Sequence, residues 1–235
     1  MRYPNTDFWG ALADDLLVVL ADGTSLLLSV VECGTLYLPS GKLVVSDPFA
    51  RLSKQGNQYI QVPKGRYRVA VTLADVSENK DGSHMREAYA TLVLDEDARE
   101  VCRKIITPVK GRKDVPPELD DEGNYFGFGV DAGTASFVDA DAISKFMPDE
   151  QGWYNKIFET GKDDSWFKLM DNPDHIGAGL ANIELPLAKQ GENIILVHSG
   201  WGDGVYPVIG GYDRAGKLIR VHIDFQILPA ENDLE

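Results

Sequence analysis

Four aspartates stand at turns where a carboxylate could do chemistry. Asp47 precedes Pro48, Asp131 precedes Ala132-Gly133, Asp139 lies two residues before Asp141, and Asp203 sits between Gly202 and Gly204. Two carboxylates brought together can serve acid–base chemistry, because each raises the other's affinity for a proton. Three or more can hold a hard cation such as calcium or magnesium. A turn aspartate also has a plainer use, accepting hydrogen bonds from backbone N–H groups two residues on. That use is the default at each position, and chemistry requires the four to converge.

The most unusual stretch contains the last of them. Ser199-Gly-Trp-Gly-Asp-Gly-Val-Tyr-Pro207 interleaves glycines 200, 202 and 204 with Trp201 and Asp203. Glycine removes the Cβ and opens positive φ, so such a run can hold an indole and a carboxylate in a tight loop. It reads either as the entry to a core hairpin or as a rigid rim presenting Trp201, Asp203 and Tyr206 to a partner. Asp131–Asp139 repeats the combination of glycine, acid and apolar strand, so the two segments are expected side by side. The candidate binding residues are therefore Trp201, Asp203, Tyr206, Asp131, Asp139 and Asp47.

Other chemistry is not signalled. The chain has no GxxxxGK[ST] phosphate loop. His198-Ser-Gly-Trp-Gly202 is not a nucleophile elbow, since Val197 stands where its first glycine belongs. Gly127, Gly129 and Gly133 have the wrong spacing for a dinucleotide fingerprint. Histidines 84, 175, 198 and 222 lack metal-ligand spacing, and His222 reads as a surface strand residue. No catalytic residue is assigned, and no cofactor or metal is expected.

These residues must be positioned by many short strands. Leu16–Leu20 and Ser25–Val31 flank Asp22-Gly23, a strong hairpin signal, although 16–21 also fits a helix. Strands are predicted at Lys42–Ser46 and, after Gly65, over Arg66–Leu73. Two more run from Met85 to Leu94 and Val101 to Val109, followed by Asn124–Val130 and Ala135–Val138. Leu180–Leu187 and Asn193–Ser199 come next. A hairpin is predicted from Val205–Tyr212 and Leu218–Phe225, turning at Asp213–Gly216, with Ile219, Val221, Ile223 and Phe225 inward. Lys110–Glu122 reads as an exposed loop and Asn232–Glu235 as a solvated tail. Asn5 or Thr6 could cap a short helix carrying Phe8, Trp9 and Leu12. In a helical insert at about 139–172, Pro148 begins one helix bearing Trp153, Tyr154, Ile157 and Phe158. Asp163 or Asp164 caps another with Trp166, Phe167 and Met170. The fold class is mainly β, a β-sandwich or strongly bent antiparallel sheets with that insert; α+β is the alternative. One domain over 1–235 is expected, with residues 1–20 as an extension.

Acidic residues number 37 against 23 basic, a net charge of −14. Such a surface repels phosphate backbones, which argues against nucleic-acid binding, and it steers basic partners. Cys33 and Cys102 have no CxxC spacing and read as free thiols. Residues 1–10 lack a signal-peptide pattern, and no apolar run is long enough to cross a bilayer. A cytoplasmic setting away from membranes is expected.

Three segments resemble a bacterial family of unknown function, the domain of unknown function numbered 4241. They are LPSGKLVVSDP at 38–48, VDAGTASFVDADA at 130–142 and SGWGDGVYPVIGGYDRAGKLIRVHIDF at 199–225. The resemblance implies one integrated domain and supplies no catalytic assignment. The leading functional expectation is a non-enzymatic protein-binding module, in one version an immunity or antitoxin-type inhibitor of a basic effector. The alternatives are a hydrolase or metal-dependent enzyme using clustered turn aspartates, and a β-sandwich binding a sugar or small ligand through Trp201. The oligomeric state is left open.

Overall fold

The computed structural model describes residues 10–20, 22–106 and 127–228. The expected helix positions Phe8 and Trp9, the 110–122 loop, Tyr125, Phe126 and the 232–235 tail lie outside the described residues. Leu12 sits in a turn at φ 61°, so no helix runs through it.

Strands follow in chain order as β1 (Leu16–Val19), β2 (Ser25–Leu38), β3 (Lys42–Ser46), β4 (Ile60–Gln61), β5 (Gly65–Asp75), β6 (Met85–Val93) and β7 (Cys102–Ile105). After these come β8 (Phe128–Val130), β9 (Thr134–Asp139), β10 (Leu180–Glu184), β11 (Asn193–His198), β12 (Gly204–Tyr206), β13 (Val208–Tyr212) and β14 (Leu218–Asp224). Helices α1 (Ala140–Phe146) and α2 (Trp166–Asp171) flank a π-helical turn at Tyr154–Phe158. The fold is mainly β, as the turn spacing predicts. Among the described residues no helix is long and apolar enough to cross a membrane.

A seven-stranded antiparallel sheet runs β1-β2-β5-β6-β14-β13-β7, and a five-stranded one runs β10-β11-β9-β3-β4. Alternation along the strands explains why the sheets stack. Val69, Val71, Leu92, Val221 and Ile223 of the first sheet pack with Leu43, Ala135, Phe137, Ile195 and Val197 of the second. The intervening residues Val44, Val138, Ile194 and Leu196 face the other way, onto Ile143, Met147, Trp166 and Met170 of the helical layer. The second sheet is thus apolar on both faces, which is why Ile194–Val197 reads as a continuous apolar run. Val18, Leu26, Leu28 and Leu228 cluster with Ala74, Ala88 and Tyr89 of the large sheet.

The β1–β2 hairpin turns at the Asp-Gly pair, with Leu16 opposite Leu28 and Val19 opposite Ser25. Its helical alternative is not adopted. The C-terminal hairpin is shorter than the sequence predicts. Val208 pairs with Ile223 and Tyr212 with Leu218, while Val205 and Tyr206 leave to pair with β8. Pro207 has no N–H and separates the two pairings.

The helical insert also differs from expectation. Its first helix begins at Ala140, capped by Asp139, whose side chain accepts from the N–H groups of Asp141 and Ala142. Pro148 does not start a helix; it follows the end of this one. A residue before proline avoids the helical region, and Met147 is extended at φ −87°, ψ 144°. The second helix is preceded by Ser165 rather than by Asp163 or Asp164. His222 is not a surface residue either. It is 1 % exposed, with Nδ1 2.8 Å from Thr91 Oγ1 and Nε2 3.1 Å from Glu100 Oε2.

Ile223 is fully buried at the centre of the sandwich. Ile223→Ala is expected to lose about 2–5 kcal/mol, the range for truncating a buried aliphatic side chain, measured by denaturant unfolding. Cys33 and Cys102 are both free thiols, and burial pushes Cys33 up to about 12. In the folded protein an alkylating agent should therefore modify Cys102 well before Cys33. Both should react in denaturant without reductant, as read by intact mass.

Candidate functional site

At the end of the sandwich where β3 stops and β9 begins, three loops are tied together by carboxylates. Asp47 is fully buried. Its Oδ1 accepts from Phe49 and Ala50 N–H at 2.9 and 3.1 Å, within its own turn. Its Oδ2 accepts from Asp131 and Ala132 N–H at 2.8 and 2.7 Å, across to the β8–β9 turn. The next amide, Gly133 N–H, donates to Asp203 Oδ1 at 3.0 Å, and Gly133 C=O accepts from Ser199 N–H at 3.0 Å. Three of the four turn aspartates therefore converge, as do the 199–206 and 131–133 segments.

The fourth does not. Asp139 is at the far end of β9, roughly 17 Å away at about 3.3 Å per residue. It is fully buried and accepts from Ser40 N–H and Oγ as well as from the helix amides. It locks the β2–β3 turn onto the helix and leaves the candidate site. Tyr206 also leaves the list of exposed contacts. It is 5 % exposed, its hydroxyl lies 2.8 Å from Ser199 O and 2.7 Å from Gly202 O, and its ring meets Phe225 edge-on, with centroids 5.4 Å apart. It is the internal strut of the glycine-rich loop.

What that loop presents is Trp201, 61 % exposed. Arg86 lies over the indole at 5.1 Å from the ring centroid, and the His84 ring stands edge-on at 6.1 Å. Asp131, Asp203 and Val205, on the same tied loops, are exposed as well. Gly200, at φ 57°, permits the close approach beneath: a Cβ there would meet Phe225 Cβ at 3.1 Å and Glu87 O at 3.2 Å.

Glu87 is the residue that sequence reasoning missed. In regular alternation it would share a face with Tyr89 and Thr91. The pairing slips by one residue between Thr72–Tyr89 and Leu73–Glu87, and this bulge at Ala88 re-aims the side chain. Glu87 is only 5 % exposed. Its Oε1 and His198 Nδ1 lie 2.7 and 2.6 Å from the point a Cβ on Gly179 would occupy, so only glycine fits there. Burial pushes the Glu87 carboxyl up to about 7, and neither its own amide nor the Arg86 charge offsets that. Desolvation lowers His198 although part of its ring meets solvent; Arg86 adds to the effect and Asp171 opposes it. A lone glutamate at the head of an apolar strand was the available signal, but the bulge that turns it inward has no sequence signature.

The model of a family described as protein of unknown function (DUF4241) matches residues 36–223, and the chain belongs to that family. The match contains Asp47, Glu87, Asp131, His198 and Asp203. No curated protein and no solved structure matches the chain.

The raised Glu87 gives a pH signature. Between about pH 4.5 and 7 the unfolded chain releases this proton while the folded protein keeps it, so stability from this group is lost as pH rises. Glu87→Gln removes the loss. Urea unfolding should show the variant more stable than the parent at about pH 8, by up to roughly 3 kcal/mol, with the two converging at about pH 4.5. An equal difference at both pH values would contradict the assignment.

Proposed function

We propose that the protein is a non-enzymatic binding module that recognises a basic protein partner through the Trp201 face. One observation carries this reading: Trp201 is largely exposed on a loop whose backbone is fixed from below by Tyr206 and from the side by Asp203 and Gly133. A rigid, exposed aromatic ring is a contact anchor with little entropy to lose on binding. Asp203 follows Trp201 two residues on in the same loop, and its Oδ1 accepts from Gly133 N–H of the turn that carries the exposed Asp131. The net charge of −14 supplies the field that draws a basic partner to it. An immunity or antitoxin-type inhibitor of a basic effector in the cytoplasm is the specific form we favour.

The clustered-aspartate enzyme is less well supported. The buried oxygens of Asp47 and Asp139 each accept backbone hydrogen bonds, so these two carboxylates hold loops together rather than face a reactant.

The test is affinity capture from the source cell with the parent, Trp201→Ala and Asp203→Asn as baits. The parent should retain a basic protein that both variants lose at least tenfold, with capture weakening as salt rises. Asparagine keeps the oxygen that receives Gly133 N–H, so Asp203→Asn should melt within a degree or two of the parent, the scale of a sub-kcal/mol change. If no protein distinguishes the parent from the variants, the reading fails.

A further inference from the structure

The opposite end of β9 holds a second feature, independent of the Trp201 reading. A cavity of about 300 Å³ opens where the β2–β3 turn, α1 and the β10–β11 loop meet. Three lysines reach it from separate segments: Lys64 just before β5, Lys145 on α1 and Lys189 in the β10–β11 loop. The acids that also line it are already engaged. Asp141 pairs with Lys42 at 2.7 Å, and Glu192 Oε2 accepts from Lys189 and Gln190 N–H at 2.8 Å each. Among the described residues none of the three lysines forms an ion pair. Pro39, Ala142 and Phe146 give the cavity an apolar portion.

Three ammonium groups without an ion-pair partner among the described residues, around one concavity, are unexpected in a chain with 14 more acids than bases. Like charges gathered without direct ion pairs repel, and an acidic chain has carboxylates to spare for pairing them. Small-ligand pockets start at about this volume and combine apolar walls with a few convergent polar groups. The geometry points to a binding site for a small polyanion with two or more negative charges, phosphate-like or dicarboxylate in kind, clasped by Lys64, Lys145 and Lys189 with any carbon portion resting on Phe146 and Pro39. Lysine suits this role as a point charge on a flexible stem. Asp139 beneath fixes the frame, since it ties the Ser40 turn to the first turn of α1.

The experiment is calorimetric titration of the full chain with pyrophosphate and, separately, with succinate, at constant low ionic strength. At least one probe should bind with one-to-one stoichiometry. Lys145→Gln and Lys189→Gln should each weaken that binding about tenfold, the loss expected for one charge-assisted contact. Lys168→Gln, on α2 and outside the cavity, should leave it unchanged. All three lysines are exposed, so the variants should melt like the parent. Preference for pyrophosphate identifies a phosphate-type ligand and preference for succinate a dicarboxylate. No binding of either probe at about 10 mM, far weaker than two or three such contacts would give, overturns the proposal. So does binding that the cavity substitutions leave intact. Trp201→Ala should not affect this titration, so failure here is distinct from failure of the partner reading.

Discussion

The architecture at the candidate site depends on one buried carboxylate. Asp47 receives four backbone N–H groups, two from its own turn and two from the turn that starts β9. A carboxylate offers about four lone-pair sites, so both oxygens are used. Removing it would leave four part-buried amides without their acceptor at once, which costs more than one surface hydrogen bond. Because it ends β3 and the receiving turn begins β9, the hydrogen bonds also fix where two paired strands of the smaller sheet stop. The loop carrying Trp201 inherits that precision through Gly133, which gives its N–H to Asp203 and accepts from Ser199.

Much of the sandwich was legible because strand alternation and turn chemistry agree. Lys42–Ser46 lies between a turn glycine and Asp47-Pro48, and the strand occupies those residues. Ile219, Val221, Ile223 and Phe225 alternate and are all buried. The readings that failed did so where a residue has two physical uses. Proline can open a helix or prevent its continuation, and Pro148 follows a helix already capped by Asp139. A tyrosine in a glycine-rich loop can be displayed or can brace the loop, and Tyr206 braces it. A histidine facing away from the core reads as exposed unless another segment covers that face, and Glu100, from the β6–β7 connection, lies against His222 beside its cross-strand neighbour Thr91.

At the candidate site the sequence located the loops but could not rank their residues. Glycine and aspartate spacing brought 131–133 and 199–206 together correctly, since both demand tight backbone conformations beside strands. The same pattern included Asp139, because in sequence it is as close to Asp131 as a turn partner would be. Distance along a strand undoes that: an extended segment carries its two ends far apart. The two ends of β9 consequently became two different surfaces, one exposing Trp201 with Asp131 and Asp203, the other exposing three lysines.

The buried acids indicate where this protein departs from structural necessity. Asp47, Asp75, Asp139, Glu192 and Asp224 are buried, and each accepts at least one backbone N–H from another residue. At Asp75 and Glu192 such bonds outweigh desolvation and hold the carboxyl below its ordinary value. Glu87 is buried with no such amide among the described residues, and desolvation pushes its carboxyl up to about 7. A bulge, a glycine at 179 and a glycine at 200 make room around it. A glutamine or an apolar residue would fill the same volume at lower energetic cost near neutral pH. Local violations of this kind concentrate at functional places, and this one lies directly beneath the loop that displays Trp201.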